Sequence, residues 1–229
     1  PDGTIANCYA EDVADRVAGA AYPQGFEHHY WKPRLLSEPE RLKPPSKIFV
    51  GSMADAFGHW VSDEQIREVL NVPQTRALHH TYQFLTKNPK RYLGKFDFTG
   101  NCWIGASSPP DFMWNKPLSS LQREKMLRVT LEVFDEMDDT PTTWLSAEPL
   151  SWDITPVLRD HPYAIDWVVI GAASNGNKYY PPNEDYVRDL VDYCDDLNIA
   201  VFFKGNLHSL PWAAANWRED FPNLTVVQI

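Results

Sequence analysis

The sequence predicts an α/β fold of repeated strand–helix units: a TIM-type (β/α) barrel, complete or partial, with parallel strands and outer helices. Three observations predict it. Short apolar runs recur along the 229 residues, each followed by a polar turn and then an amphipathic stretch. The runs are continuous rather than alternating, as expected of parallel strands covered on both faces. Seven such runs suit a barrel better than a flat sheet, and a doubly wound sheet is the alternative.

The elements follow in chain order. Lys47–Met53 (KIFVGSM) reads as the first buried strand. Ser62-Asp63-Glu64-Gln65 opens a helix, with Ser62 as N-cap and Gln65 three residues on in a capping-box pattern. Ile66, Val69 and Leu70 supply its apolar face. Tyr82–Lys87 is the next strand, and Pro89 to Leu93 starts a short helix. Cys102–Ser107 is a strand, and Leu118–Met137 is the longest helix, with Leu121, Met126, Val129, Val133 and Phe134 at mostly helical spacing. Thr142–Ser146 and Asp166–Gly171 are strands. Asn183–Leu197 is a helix with Asn183 as N-cap and Val187, Leu190, Val191 and Cys194 on one face. Ala200–Lys204 and Thr225–Ile229 complete the strands.

The chain reads as one barrel domain over 1–229, with a first strand upstream of Pro1 as a further expectation. Residues 21–46 carry five of the nineteen prolines and little periodicity, which makes them a long irregular excursion. Segment 108–117 (SPPDFMWNKP) is a second loop of that kind. Loops of this length are often functional.

At 43% hydrophobic and 13% aromatic, the chain can bury a sizeable core. Its nine Trp, ten Tyr and eleven Phe either thicken that core or line a cleft. The net charge of −10 gives no general grip on nucleic acid, which requires Lys and Arg to neutralise phosphates. No apolar run approaches the roughly 20 residues that span a bilayer. Cys8, Cys102 and Cys194 are odd in number and far apart, so they form no disulfide framework. With no secretory signal in view, a reducing, cytoplasmic setting is expected.

In a barrel of this kind the active site lies at the carboxyl ends of the strands. Those ends read Ser52, Met53 and Asp55; Thr86 and Lys87; Ser107 and Ser108; Ser146 and Glu148; Ser174 and Asn175; Lys204 and Asn206. Lys87, Glu148 and Lys204 are the candidate catalytic residues, and Ser52, Asp55, Ser174 and Asn175 the candidate substrate-binding residues. Each has a structural alternative. Lys87 suits a solvated turn before Asn88-Pro89, Glu148 suits a helix cap or a lysine partner, and Asp55 suits a helix N-terminus. Lysines beside a carboxylate can bind an anionic substrate or tune the carboxylate for proton transfer.

Gly171-Ala172-Ala173-Ser174-Asn175-Gly176 follows a strand and suits a turn that lets a ligand approach the backbone. It lacks the spacing of a dinucleotide fingerprint. His28-His29 and His79-His80 have no metal-ligand spacing and read as structural or surface residues. Neither a nucleophile elbow nor a P-loop occurs.

Seven stretches, taken in order, resemble one family. They are Asn7-Cys8-Tyr9-Ala10-Glu11; Ile48-Phe49-Val50 with Ser52-Met53-Ala54-Asp55-Ala56-Phe57; Phe84-Leu85-Thr86-Lys87-Asn88-Pro89; Trp103-Ile104-Gly105; Leu145-Ser146-Ala147-Glu148-Pro149-Leu150; Asp166-Trp167-Val168-Val169-Ile170-Gly171; and Phe202-Phe203-Lys204. The chain resembles the phage gene-product thirty-seven/sixty-eight family, a radical-SAM-like group. The resemblance implies a partial or full βα-barrel and makes Cys8 the last cysteine of an iron–sulfur loop. It also implies a [4Fe–4S] cluster with S-adenosylmethionine, the hard chemistry being the cofactor's. The cluster spacing asks for cysteines where the chain has Ile5 and Pro1. The phage context implies a nucleobase or nucleotide substrate.

Three functions therefore stand open. One is a radical-SAM-like enzyme with Cys8 as cluster ligand. The second is a cluster-free lyase or hydrolase using Glu148 as base with lysines. The third is a barrel that binds a small molecule or nucleotide without turning it over.

Overall fold

The fold is described from a computed structural model covering residues 10–11, 13–14, 22–113, 116–137, 141–175 and 178–222. Cys8 and the expected Thr225–Ile229 strand lie outside these residues.

Six strands build one parallel sheet: β1 (Lys47–Phe49), β2 (Thr81–Thr86), β3 (Cys102–Ser107), β6 (Thr142–Ala147), β7 (Trp167–Ile170) and β10 (Ala200–Phe203). Their order across the sheet is their order along the chain, and every neighbouring pair is parallel. A doubly wound sheet reverses its strand order at a switch point. This sheet does not, and it curls into half a barrel flanked by helices. Two small hairpins sit in the loops, β4 (Phe112–Met113) with β5 (Lys116–Pro117), and β8 (Ala173–Asn175) with β9 (Lys178–Tyr180).

The helices are α1 (Asp63–Asn71), α2 (Ser120–Asp135), α3 (Thr155–Leu158), α4 (Glu184–Leu197) and α5 (Pro211–Ala215). The capping box at Ser62 and Gln65 forms in full, and Ser119 with Gln122 makes a second one at the start of α2. Asn183 caps α4 by accepting from the Asp185 N–H. The buried face of α4 is the expected one, Val187, Leu190, Val191 and Cys194, with Tyr193 added. The face of α2 matches expectation only in part. Val133 and Phe134 are buried as expected, but Met126 and Val129 are only partly buried, Leu121 is 74% exposed, and Leu127, Thr130 and Leu131 complete the buried face. Leu121 lies in the first turn of the helix.

Strand residues alternate between two apolar layers, as side chains of period two must. Tyr82, Phe84, Cys102, Ile104, Ala106, Leu145, Val168, Ile170, Val201 and Phe203 join the main core with residues of the helices. The opposite, concave face holds Trp103, Trp144, Trp167 and Val169, with Leu85, Ala200 and Phe202 packed against them. The indoles of Trp103 and Trp167 meet edge to face at 5.4 Å, and those of Trp144 and Trp167 lie 5.1 Å apart. The many rings therefore include a filled barrel interior. Gly105 makes this possible, because a Cβ there would lie 2.1 Å from Cε2 of Trp144.

The chain returns to this interior after α5. Residue 219 bridges antiparallel to Phe202, and Phe221 lies 5.5 Å from Trp167 and 6.2 Å from Trp103. Lys47, the first residue of β1, places its Nζ 3.9 Å from the Phe221 ring centre. Segment 22–46 contains two 3-10 turns, Pro33–Ser37 and Pro39–Arg41. It is tied down by buried His80, whose Nδ1 accepts from the Ser46 N–H at 3.1 Å while Nε2 lies 2.9 Å from the Pro39 carbonyl.

Candidate functional site

Three adjacent strands, β6, β7 and β10, bring the central residues together at their carboxyl ends. Strand β6 ends with Ser146 and Ala147, and Glu148 follows directly. Strand β10 ends at Phe203, and Lys204 follows, its N–H donating to the Ile170 carbonyl of β7 at 2.9 Å. The two side chains reach across β7. Lys204 Nζ lies 3.5 Å from Glu148 Oε2, and the Ser146 hydroxyl donates to Glu148 Oε1 at 3.2 Å. The Glu148 side chain is 28% exposed and that of Lys204 48%.

Between them, just past β7, lies Gly171. A Cβ built there would stand 2.8 Å from Glu148 Cγ and 3.2 Å from Lys204 Cγ. The glycine is thus the bare floor over which the pair meets. Its backbone is fixed on both sides, because its N–H donates to the Ala147 carbonyl and its carbonyl accepts from the Leu150 N–H. Asn206 holds the next residue, accepting from Ala172 N–H at 3.1 Å and donating to the Ala172 carbonyl at 3.0 Å. Tyr179 donates in turn to the Asn206 carbonyl. The floor is therefore built from backbone that is already hydrogen-bonded, leaving the Glu148 and Lys204 head groups to face solvent.

The remaining sequence candidates fall elsewhere. Lys87 follows β2 and is exposed. It is two strands from β6, about 10 Å at the usual strand spacing. Among the described residues its ammonium makes no ion pair. Asp55 is engaged in holding the fold. Its Oδ1 accepts from Phe57 N–H at 2.9 Å, and its Oδ2 accepts from both the Thr86 hydroxyl and Lys87 N–H at 2.9 Å. It fastens the loop after β1 to the end of β2. Ser52 is exposed in the turn that follows β1, which ends at Phe49 instead of running to Met53. Ser174 is exposed in the small hairpin strand β8. Asn175 is also in β8, and its side chain lies outside the described residues.

Sequence reasoning marked Gly171 as a place of close backbone approach, but missed that Glu148 and Lys204 pack over it, that Ser146 donates to Glu148 and that Asn206 clamps the backbone. Their polar or small character at strand ends was visible, but their mutual contacts depend on which strands are neighbours.

Among the described residues no group of three His, Cys, Asp or Glu side chains could hold a metal ion. Cys102 and Cys194 are both fully buried on the helix side of the sheet. Burial pushes the Cys194 thiol up to about 12 and raises that of Cys102. Neither is a ready thiolate. No helix among the described residues is long and apolar enough to cross a membrane.

Residues 3–211 match the family described as "Protein of unknown function (DUF5131)", and the chain belongs to it. No curated protein and no solved structure matches the chain.

Proposed function

We propose that this chain is a partial TIM-type barrel that binds a small polar molecule at the carboxyl ends of its strands. Glu148 and Lys204 contact the ligand, and Glu148 serves as proton acceptor if the ligand is turned over. One observation carries the reading: the Glu148–Lys204 pair spans the bare end of β7 over Gly171. A partly exposed ion pair adds only about 0–1 kcal/mol to stability. Such a pair, seated at the mouth where barrel enzymes keep their active sites, is better explained by a ligand than by folding. Lys87 and Ser107, at the ends of β2 and β3, would line the far side of the same mouth.

Radical-SAM-like ancestry is a second part of the proposal, supported by the order of the seven stretches. Its [4Fe–4S] cluster asks for three thiolates in one place. Besides Cys8 the chain offers only Cys102 and Cys194, and both are core residues facing the helices. The residues present do not fit a four-iron cluster, so the chemistry proposed for Glu148 and Lys204 is drawn without it. A nucleobase or nucleotide remains one ligand class within the proposal, supported only by the resemblance.

The test is a thermal-shift screen with amino acids, nucleosides, nucleotides and sugar acids, run on the native chain and on Glu148→Gln and Lys204→Met. The reading expects compounds that stabilise the native chain and lose their effect in both variants. Compounds that stabilise all three proteins equally would move the site away from this mouth.

A further inference from the structure

We infer that the Glu148–Lys204 site takes a zwitterion of the α-amino-acid type, with its ammonium on Glu148 and its carboxylate on Lys204. The inference rests on the site proposed above and names its ligand class.

The first reason is charge balance. In this structure the two side chains are paired with each other. A ligand carrying one charge would pair with one of them and leave the other without its partner. A zwitterion exchanges one ion pair for two and strands nothing.

The second reason is the pair's geometry. A separation of 3.5 Å is longer than the roughly 2.7–2.9 Å of a tight charge-assisted hydrogen bond. The two partners are also unequally held. Glu148 is fixed by the Ser146 hydroxyl, which occupies Oε1 and leaves Oε2 toward Lys204. Lys204 is the more exposed of the two, and its ammonium sits at the end of a flexible four-carbon stem. The lysine can move aside to admit a ligand while the carboxylate keeps its place.

The third reason is the field of the whole protein. At a net charge of −10 the chain repels anions such as nucleotides on approach. A zwitterion has no net charge and approaches without that penalty. Gly171 adds a steric condition: the stems of Glu148 and Lys204 fill the space above it, so the ligand meets their head groups and not the backbone.

The test uses the full chain with L-alanine, L-glutamine and L-phenylalanine as probes, followed by saturation-transfer NMR and titration calorimetry. N-acetyl forms, which lack the ammonium, and amides, which lack the carboxylate, are run beside them. The inference expects at least one free amino acid to bind, and both of its blocked forms to bind at least about tenfold more weakly. It expects a comparable loss in Glu148→Gln and in Lys204→Met, each shown to be folded by circular dichroism. No binding by any free amino acid overturns it. So does an N-acetyl form or an amide that binds as well as its parent. If a singly charged compound from the wider screen binds instead, and depends on the pair, the site stands and only the zwitterion falls.

Discussion

Lys204 Nζ stands 3.5 Å from Oε2 of Glu148, although the two residues follow strands separated by β7. The contact exists because a glycine, Gly171, follows β7. Any larger residue at 171 would have to share space with both side chains.

Gly171→Ala is therefore the sharpest steric probe of the mouth. The new methyl would meet Glu148 Cγ at 2.8 Å. Overpacking of this kind costs about 1–3 kcal/mol. The expected outcome is a folded protein, less stable by that amount in urea titration, whose screen ligands bind at least tenfold more weakly. Unchanged affinity would mean that binding does not depend on how the pair is seated over Gly171.

Asp55 should behave in the opposite way. Its carboxylate accepts three hydrogen bonds within the fold. Asp55→Ala leaves those donors without their partner, at a cost of about 2–3 kcal/mol. Chemical denaturation should show that loss, while affinity for ligands at Glu148 and Lys204 changes little. A variant of native stability with lost binding would return Asp55 to the ligand site.

The thiols offer a chemical check. Burial holds the Cys194 thiol at about 12 and raises that of Cys102, so both stay protonated and shielded near neutrality. An aromatic disulfide reagent at about pH 8 should leave both unlabelled in the folded chain and label both after unfolding, as read by peptide mass spectrometry. Fast labelling of either in the folded protein would contradict their placement in the core.

Alkali should weaken the fold through three phenols. Burial pushes Tyr82 and Tyr193 up to about 12, and Tyr92 well above its ordinary value. Each donates to a carbonyl: Tyr82 to Ala77, Tyr193 to Leu158 and Tyr92 to Gly105. An unfolded tyrosine ionises near pH 10, so above that the unfolded chain sheds protons that the folded chain keeps. Their contribution is complete below about pH 10 and is lost as pH rises toward 12 and beyond. Urea midpoints should therefore agree at about pH 8 and 9 and fall at about pH 11. A flat profile to that pH would place the phenols in water.

Much of the fold could be read from apolar runs and caps. Cys102–Ser107 was delimited as it stands, and Ser62, Gln65 and Asn183 announced their helix starts, because these signals are local. Val50 to Met53 read as strand only because it continues an apolar run, whereas the chain turns there at Gly51 with φ +71°. The two loop hairpins escaped notice, being two and three residues long per strand. Glu148 and Lys204 could be singled out by their place after apolar strands. A lysine partner for Glu148 could be foreseen, but not which lysine, since that depends on the order β6-β7-β10. Nor could the role of Asp55, whose partner Thr86 lies 31 residues away.

The most direct measurement is the affinity of the best screen ligand for Lys204→Met, taken together with that variant's urea stability. The account predicts stability within about 1 kcal/mol of the native chain, as for a partly exposed ion pair, and affinity reduced at least tenfold. Native affinity in the folded variant would contradict it and leave the Glu148–Lys204 pair as a bridge between strands.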